Sequence, residues 1–172
     1  QQLTNCNIIE AYGLTETSPA TAINPINQKE FSGSIGIALP STDISIRNSK
    51  NEEVKIGEHG QLCIKGPQVT KGYWKNETAT KQALHDGWLY SGDIVYMDKQ
   101  GYLYMVDRLK DLIIVSGFNV STAEIENTIL ELPEIIEAAA VSVKNAKQGE
   151  SVVVFVALAP SSKLTELNII NF

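Results

Sequence analysis

The sequence is poor in cysteine and histidine, with two of each among 172 residues. Cys6 and Cys63 lie far apart and form no CxxC pair, so neither a disulfide framework nor a zinc site is encoded. Both read as small buried residues of a reducing compartment. His59 and His85 each fall in turn-like segments suited to exposure. Basic residues are not in excess: 14 Lys+Arg against 20 Asp+Glu leaves a net charge of −6 with no basic run, which argues against nucleic acid as a partner. Long apolar runs are missing too. The longest, Val152 to Ala159, is far short of the roughly 20 residues that span a bilayer. The first residues lack the basic-then-apolar order of a secretory signal, so the expected location is cytoplasmic, with peripheral membrane contact left open. Two tripeptides, Asn76-Glu77-Thr78 and Asn119-Val120-Ser121, match the glycosylation sequon, but nothing else points to secretion. There is no GxSxG elbow, no GxxxxGK[ST] phosphate loop, no HExxH and no internal repeat.

What is present suffices for a folded core: the hydrophobic content is 43%, in a length that suits one ordinary domain or two small ones. A strand is expected at Asn7 to Glu10. Asp43 to Arg47 (D-I-S-I-R) and Gln61 to Lys65 (Q-L-C-I-K) alternate with period two, as half-buried antiparallel strands do. A short helix opens at Asn76, whose side chain can cap free amides ahead of Glu77 to Leu84, and Asp86-Gly87 turns the chain. Ile94 to Met97 and Tyr102 to Val106 flank Asp98-Lys99-Gln100-Gly101, which has the composition of a hairpin turn. After Arg108 the order becomes strand, helix, strand, strand: Leu112 to Val115, a helix, Ile135 to Val143, and Val152 to Leu158. The helix carries a capping box, Ser121 with Glu124, an apolar stripe of Ile125, Ile129 and Leu132, and a stop at Pro133. This change of texture puts a domain boundary at about Leu109 to Asp111.

Four constellations could carry chemistry. Tyr12-Gly13-Leu14-Thr15-Glu16-Thr17 combines a ring, a glycine, hydroxyls and a carboxylate in one bend, a set able to meet an adenine face, phosphate oxygens and a metal ion. Gly92-Asp93 offers a carboxylate to a sugar diol, and Asp107-Arg108 offers a charged fork at a strand end. Ser116-Gly117-Phe118-Asn119 is a glycine turn where a ligand can pass close to the backbone. Taken singly, an ordinary loop, turn or surface ion pair accounts for each of them better.

Taken in order, these segments resemble the adenylate-forming superfamily of acyl-CoA synthetases, firefly luciferase and nonribosomal peptide synthetase adenylation domains. The resemblance runs through Tyr12 to Glu16, Gly33-Ser34-Ile35-Gly36, Gly60 to Pro67, Gly72-Tyr73-Trp74, Asp86 to Asp93, Val106 to Asp111, Val115 to Val120 and Ala123 to Glu126. Gly66 to Val69, Gly72 to Trp74 and Ile114 to Val120 look most like bacterial long-chain fatty acid CoA ligases. Gln61 departs from the family, which usually has Glu there.

The resemblance implies an α+β fold. A small β-barrel-like subdomain from the end of a large domain (1–109) would be followed by the first part of a truncated α+β small domain (110–172). It implies ATP or AMP, Mg2+ and coenzyme A as cofactors, and a fatty acid as substrate. Tyr12 would pack on adenine, with Gly13 beside it. Thr15 would contact the phosphate or acyl carbonyl oxygen, Glu16 would hold the magnesium ion, and Asp93 and Arg108 would bind the ribose. Lys110 would be the hinge between the domains, and Ser116 and Gly117 would line the path of the pantetheine. The family's phosphate loop and its carboxy-terminal catalytic lysine do not occur in these 172 residues. The chain therefore reads as a carboxy-terminal-half fragment, expected to be inactive by itself and open to self-association. The alternatives are a non-catalytic nucleotide-binding or interaction remnant, or a piece of an aryl-CoA or acyl-AMP ligase.

Overall fold

In the computed structural model, which describes residues 6–28, 30–145 and 147–172, the chain divides into two compact units, Gln1–Val106 and Asp107–Phe172. In the first, β1 (Ala11–Gly13), β2 (Ala20–Ile23) and β3 (Ile37–Ala38) form an antiparallel sheet in that order. The strand expected at Asn7 to Glu10 thus comes later, at Ala11–Gly13, where its partner β2 sets the pairing. β4 (Asp43–Arg47) and β5 (Gly60–Lys65) pair as their alternation predicts, Asp43 opposite Lys65 and Arg47 opposite Gln61. One face of this pair supplies Ile46, Leu62 and Ile64 to a core completed by Ala22, Leu89, Val95 and Leu103. Cys63, on the other face of β5, is buried, and burial pushes its thiol up to about 11 against the smaller opposing pull of Arg47. Cys6, expected to be buried, is exposed.

α1 (Glu77–Ala83) begins where Asn76 Oδ1 accepts the Ala79 amide at 3.0 Å. β6 (Leu84–His85) and β7 (Trp88–Met97) are joined by Asp86 and Gly87, both at positive φ (51° and 79°), the conformation a type I′ hairpin needs. The Asp98–Gly101 turn closes through Gly101 N to Asp98 O (3.1 Å) and leads into β8 (Leu103–Arg108), which pairs with β7. The sheet order is β4-β5-β7-β6, with β8 also on β7. Among the described residues it stays open, because β4 pairs with no strand besides β5. None of the three sheets closes, so the expected barrel-like unit is an open sheet within an α+β fold.

The second unit contains β9 (Ile113–Val115), β10 (Phe118–Val120), α2 (Thr122–Leu130), β11 (Ile135–Asn145), β12 (Gly149–Leu158) and α3 (Glu166–Ile170). Its antiparallel sheet has the order β10-β9-β12-β11. Ser121 Oγ accepts the Glu124 amide at 3.1 Å, the capping foreseen from sequence, and α2 ends at Leu130, before Pro133. Glu126 Oε1 accepts the Ala140 amide at 2.7 Å and ties α2 to the middle of β11. The three-residue strand β10 has no alternation long enough to announce it.

Candidate functional site

β1 delivers Tyr12 and Gly13 into a tight bend. The β1–β2 register shifts between these two residues, with Tyr12 opposite Ala22 and Gly13 opposite Ala20. A Cβ on Gly13 would lie 1.8 Å from Pro19 O, so only glycine permits this approach. Thr15–Thr17 then form one 3₁₀ turn, held from inside by fully buried Thr17. Its Oγ1 accepts the Leu14 amide at 3.0 Å and donates towards Leu14 O (3.0 Å) and Pro19 O (2.9 Å). With Thr17 turned inward, Thr15 is exposed and Glu16 half-buried on the outer side of the bend. Thr70 N donates to Glu16 O at 2.8 Å, and the Tyr73 hydroxyl donates to Glu16 Oε1 at 2.6 Å. That hydrogen bond, with burial and the charge of Glu16, pushes the Tyr73 hydroxyl above its ordinary pKa.

Asp93 reaches the same region from β7. Between the pairs Gln61–Ile94 and Cys63–Tyr90, the single residue Leu62 on β5 faces Ser91, Gly92 and Asp93 on β7. The surplus forms a bulge, with Gly92 at φ 79° and Ser91 Oγ linking Leu62 O (2.8 Å) to the Asp93 amide (3.1 Å). Bulges re-aim side chains, and here Asp93, 4% exposed, meets the Tyr12 hydroxyl, which donates to its Oδ2 at 2.5 Å. Gly92-Asp93 is therefore not a strand-initiating turn but an interruption inside a ten-residue strand.

The other expected positions belong to the second unit or to the end of β8. Asp107 does not extend a fork beside Arg108; its carboxylate turns to the start of α2. Oδ2 accepts from Ser121 Oγ (2.7 Å), Thr122 Oγ1 (3.3 Å) and the Ala123 amide (3.3 Å), and Oδ1 from the Arg108 amide (2.7 Å). Burial by itself would raise this carboxyl, but the four hydrogen bonds together hold it below the ordinary range. Arg108 is the exposed last residue of β8. Lys110 lies exposed in the turn that follows, closed by Asp111 N to Arg108 O at 2.9 Å. Ser116 and Gly117, at φ 51° and 86°, are the two-residue turn of the β9–β10 hairpin.

A family model of AMP-binding enzymes matches residues 1–74, and a model of the AMP-binding enzyme C-terminal domain matches residues 124–172. The chain belongs to the adenylate-forming, AMP-binding enzyme family. It is 48% identical over 155 residues to a long-chain-fatty-acid–CoA ligase of Haemophilus influenzae, covering 90% of this chain and 28% of that protein. The corresponding ligase of Escherichia coli O157:H7 is 44% identical over 99% of this chain and 30% of its own length. The chain thus spans about a third of the relatives it matches. Among solved structures, ATP-bound MatB from Rhodopseudomonas palustris superimposes with a TM-score of 0.88 at 34% identity, over 95% of this chain and 33% of that one. O-succinylbenzoate coenzyme A synthetase from Bacillus subtilis, in complex with ATP and magnesium ion, gives 0.78 at 33% identity, over 92% and 33%.

For a member of this AMP-binding family the donor set can be weighed against the metal it would need. No group of three or more His, Cys, Asp or Glu side chains able to hold a metal ion occurs among the described residues. Glu16 is a single-carboxylate donor. That fits magnesium, which takes one or two carboxylates, keeps waters and uses substrate phosphates for the rest; it does not fit an all-protein cage. Two residues stand in segments that sequence singles out, but their roles in shaping the site are not readable there: Thr17, whose hydroxyl closes the turn from inside, and Tyr73, whose partner Glu16 is distant along the chain.

Proposed function

We propose that this chain is part of an ATP-dependent acid–thiol ligase that joins a long-chain fatty acid to coenzyme A through an acyl-AMP. Residues 1–109 would close the large domain and 110–172 would begin the small one. The observation that carries the reading is the contact of Tyr12 with Asp93 beside the Thr15–Glu16 bend. It joins a ring, a buried carboxylate, an exposed hydroxyl and a half-buried carboxylate, a set that suits a nucleotide with its phosphates.

Tyr12, held through its hydroxyl, packs its ring on adenine, and Gly13 beside it permits the tight β1–β2 bend that carries the ring. Asp93 accepts from the ribose hydroxyls, and the resemblance implies a sugar contact for Arg108 as well. Thr15 donates to a phosphate or acyl carbonyl oxygen. Glu16 would hold magnesium, which would supply positive charge to the phosphate oxygens. Lys110 is the hinge about which the small domain turns, and Ser116 and Gly117 then line the entry of the coenzyme A thiol.

The test is Asp93→Ala in the full-length ligase, followed by pyrophosphate exchange. Loss of a charged acceptor for a sugar hydroxyl is expected to raise the ATP concentration for half-saturation about 10- to 100-fold. An unchanged ATP dependence removes the nucleotide reading. The same assay with long-chain, aryl and short dicarboxylic acids decides the substrate class, and preference for an aryl acid would replace the fatty acid assignment.

A further inference from the structure

We propose that Tyr73 is a positioning residue for Glu16, fixing one carboxylate oxygen so that the other is aimed at the metal; this rests on the nucleotide-and-metal reading above. The two residues are separated by 57 positions and come together through a hydroxyl-to-carboxylate bond of 2.6 Å. The contact is built at both ends. On one side, Thr17 locks the turn that carries Glu16, and the Glu16 carbonyl is tied to the Thr70 amide at 2.8 Å. On the other, the loop from Thr70 to Thr80 is braced internally. Thr70 Oγ1 donates to Gly72 O (3.2 Å) and accepts from its amide (3.3 Å), and the Tyr73 amide donates to Thr80 Oγ1 at 2.9 Å. Thr80 Oγ1 donates in turn to Asn76 O at 2.8 Å, so the loop is bonded to the first turn of α1. Gly72, at φ 144°, packs so closely on Thr80 that a Cβ there would lie 2.6 Å from Thr80 Cγ2.

The chemistry of the partner matters. A phenol hydroxyl orients a carboxylate without cancelling its charge, whereas a lysine or arginine in that place would compete with a cation. A glutamate on a surface turn otherwise loses rotamer freedom on binding metal. Pinning Oε1 in advance removes part of that cost, as hydrogen bonds to ligating carboxylates do at metal sites. Tyr73 is 39% exposed and adds little to the core, so packing does not account for its placement.

The experiment compares the wild type, Tyr73→Phe, Glu16→Gln and the double variant in the full-length ligase. Mn2+ binding in the presence of ATP is followed by the electron paramagnetic resonance signal of the free ion, and pyrophosphate exchange is titrated with Mg2+. Tyr73→Phe is expected to weaken Mn2+ binding and raise the Mg2+ concentration for half-maximal exchange by about 10-fold or more, the effect of one hydrogen bond to a charged group. The fatty acid KM and the Tm should stay unchanged, and the substitution should add nothing in the Glu16→Gln background. Metal dependence within about twofold of the wild type overturns the proposal. So does a Tyr73→Phe protein that loses its fold, since the hydroxyl would then be structural. Were the wild type to show no metal-dependent exchange at all, the function above would fail instead.

Discussion

At the scale of single residues, Gly13 has a role that chemistry alone would not assign. Its place beside Tyr12 suggests a ligand contact, yet the structure first requires it for packing, because Pro19 O occupies the space where any Cβ would go. Gly13→Ala must therefore push β1 away from β2, an overpacking cost of about 1–3 kcal/mol. Calorimetry is expected to show a Tm lowered by roughly 2 °C or more, and a variant that melts with the wild type would mean that the bend absorbs the methyl group. The same residue scale separates what was legible in the site. Residue types at Tyr12, Thr15, Glu16 and Asp93 are compatible with a nucleotide and a metal, but taken singly a loop or turn accounts for them better, and it is the order of the motifs, through the family they resemble, that gives them those roles. That the Tyr12 hydroxyl is spent on Asp93, and Glu16 Oε1 on Tyr73, is not legible, because the partners lie 81 and 57 positions away.

At the scale of elements, the start of α2 is capped by Ser121 and Asp107, of which sequence announces the first. Ser121 sits at the capping position and is read directly. Asp107 comes from the end of β8 and adds a second set of acceptors at the positive end of the helix dipole. Its carboxyl is held below the ordinary range, so the stability it contributes is full above the ordinary carboxylate pKa and is lost as the pH falls through the lower folded value. Asp107→Ala is expected to cost about 0.5–2 kcal/mol near neutral pH. In urea unfolding of wild type and variant across the acid range, the two midpoints should converge below the ordinary carboxylate pKa; a gap that stays constant would remove the charge from the account. β7 shows the opposite limit of local reading. Its ten residues look like a turn followed by a strand because Gly92 interrupts them, whereas pairing with β5 on both sides of the bulge makes one element.

At the scale of the whole molecule, the second unit leaves one sheet face apolar and open. Val141 opposite Val153, with Phe155 opposite Ala139, share that face, and Phe155 is 63% exposed. Such a face favours association. The 172-residue chain is expected to sediment with a concentration-dependent mass that Phe155→Ser reduces, and to release no pyrophosphate from ATP with long-chain acids. Turnover above a protein-free blank would overturn the second expectation, and a monomer at all concentrations the first. No helix among the described residues is long and apolar enough to cross a membrane. Sequence by itself determined the elements whose signals are local: the β4–β5 alternation, the Asp98–Gly101 turn and the caps Asn76 and Ser121. In these the residues that specify a conformation are neighbours along the chain. Tertiary structure alone decided that the β-rich unit stays an open sheet, that Asp107 caps a helix, and that Tyr73 meets Glu16. Each of these depends on which distant strand or loop is packed alongside, and a pattern of nearby residues holds no record of that.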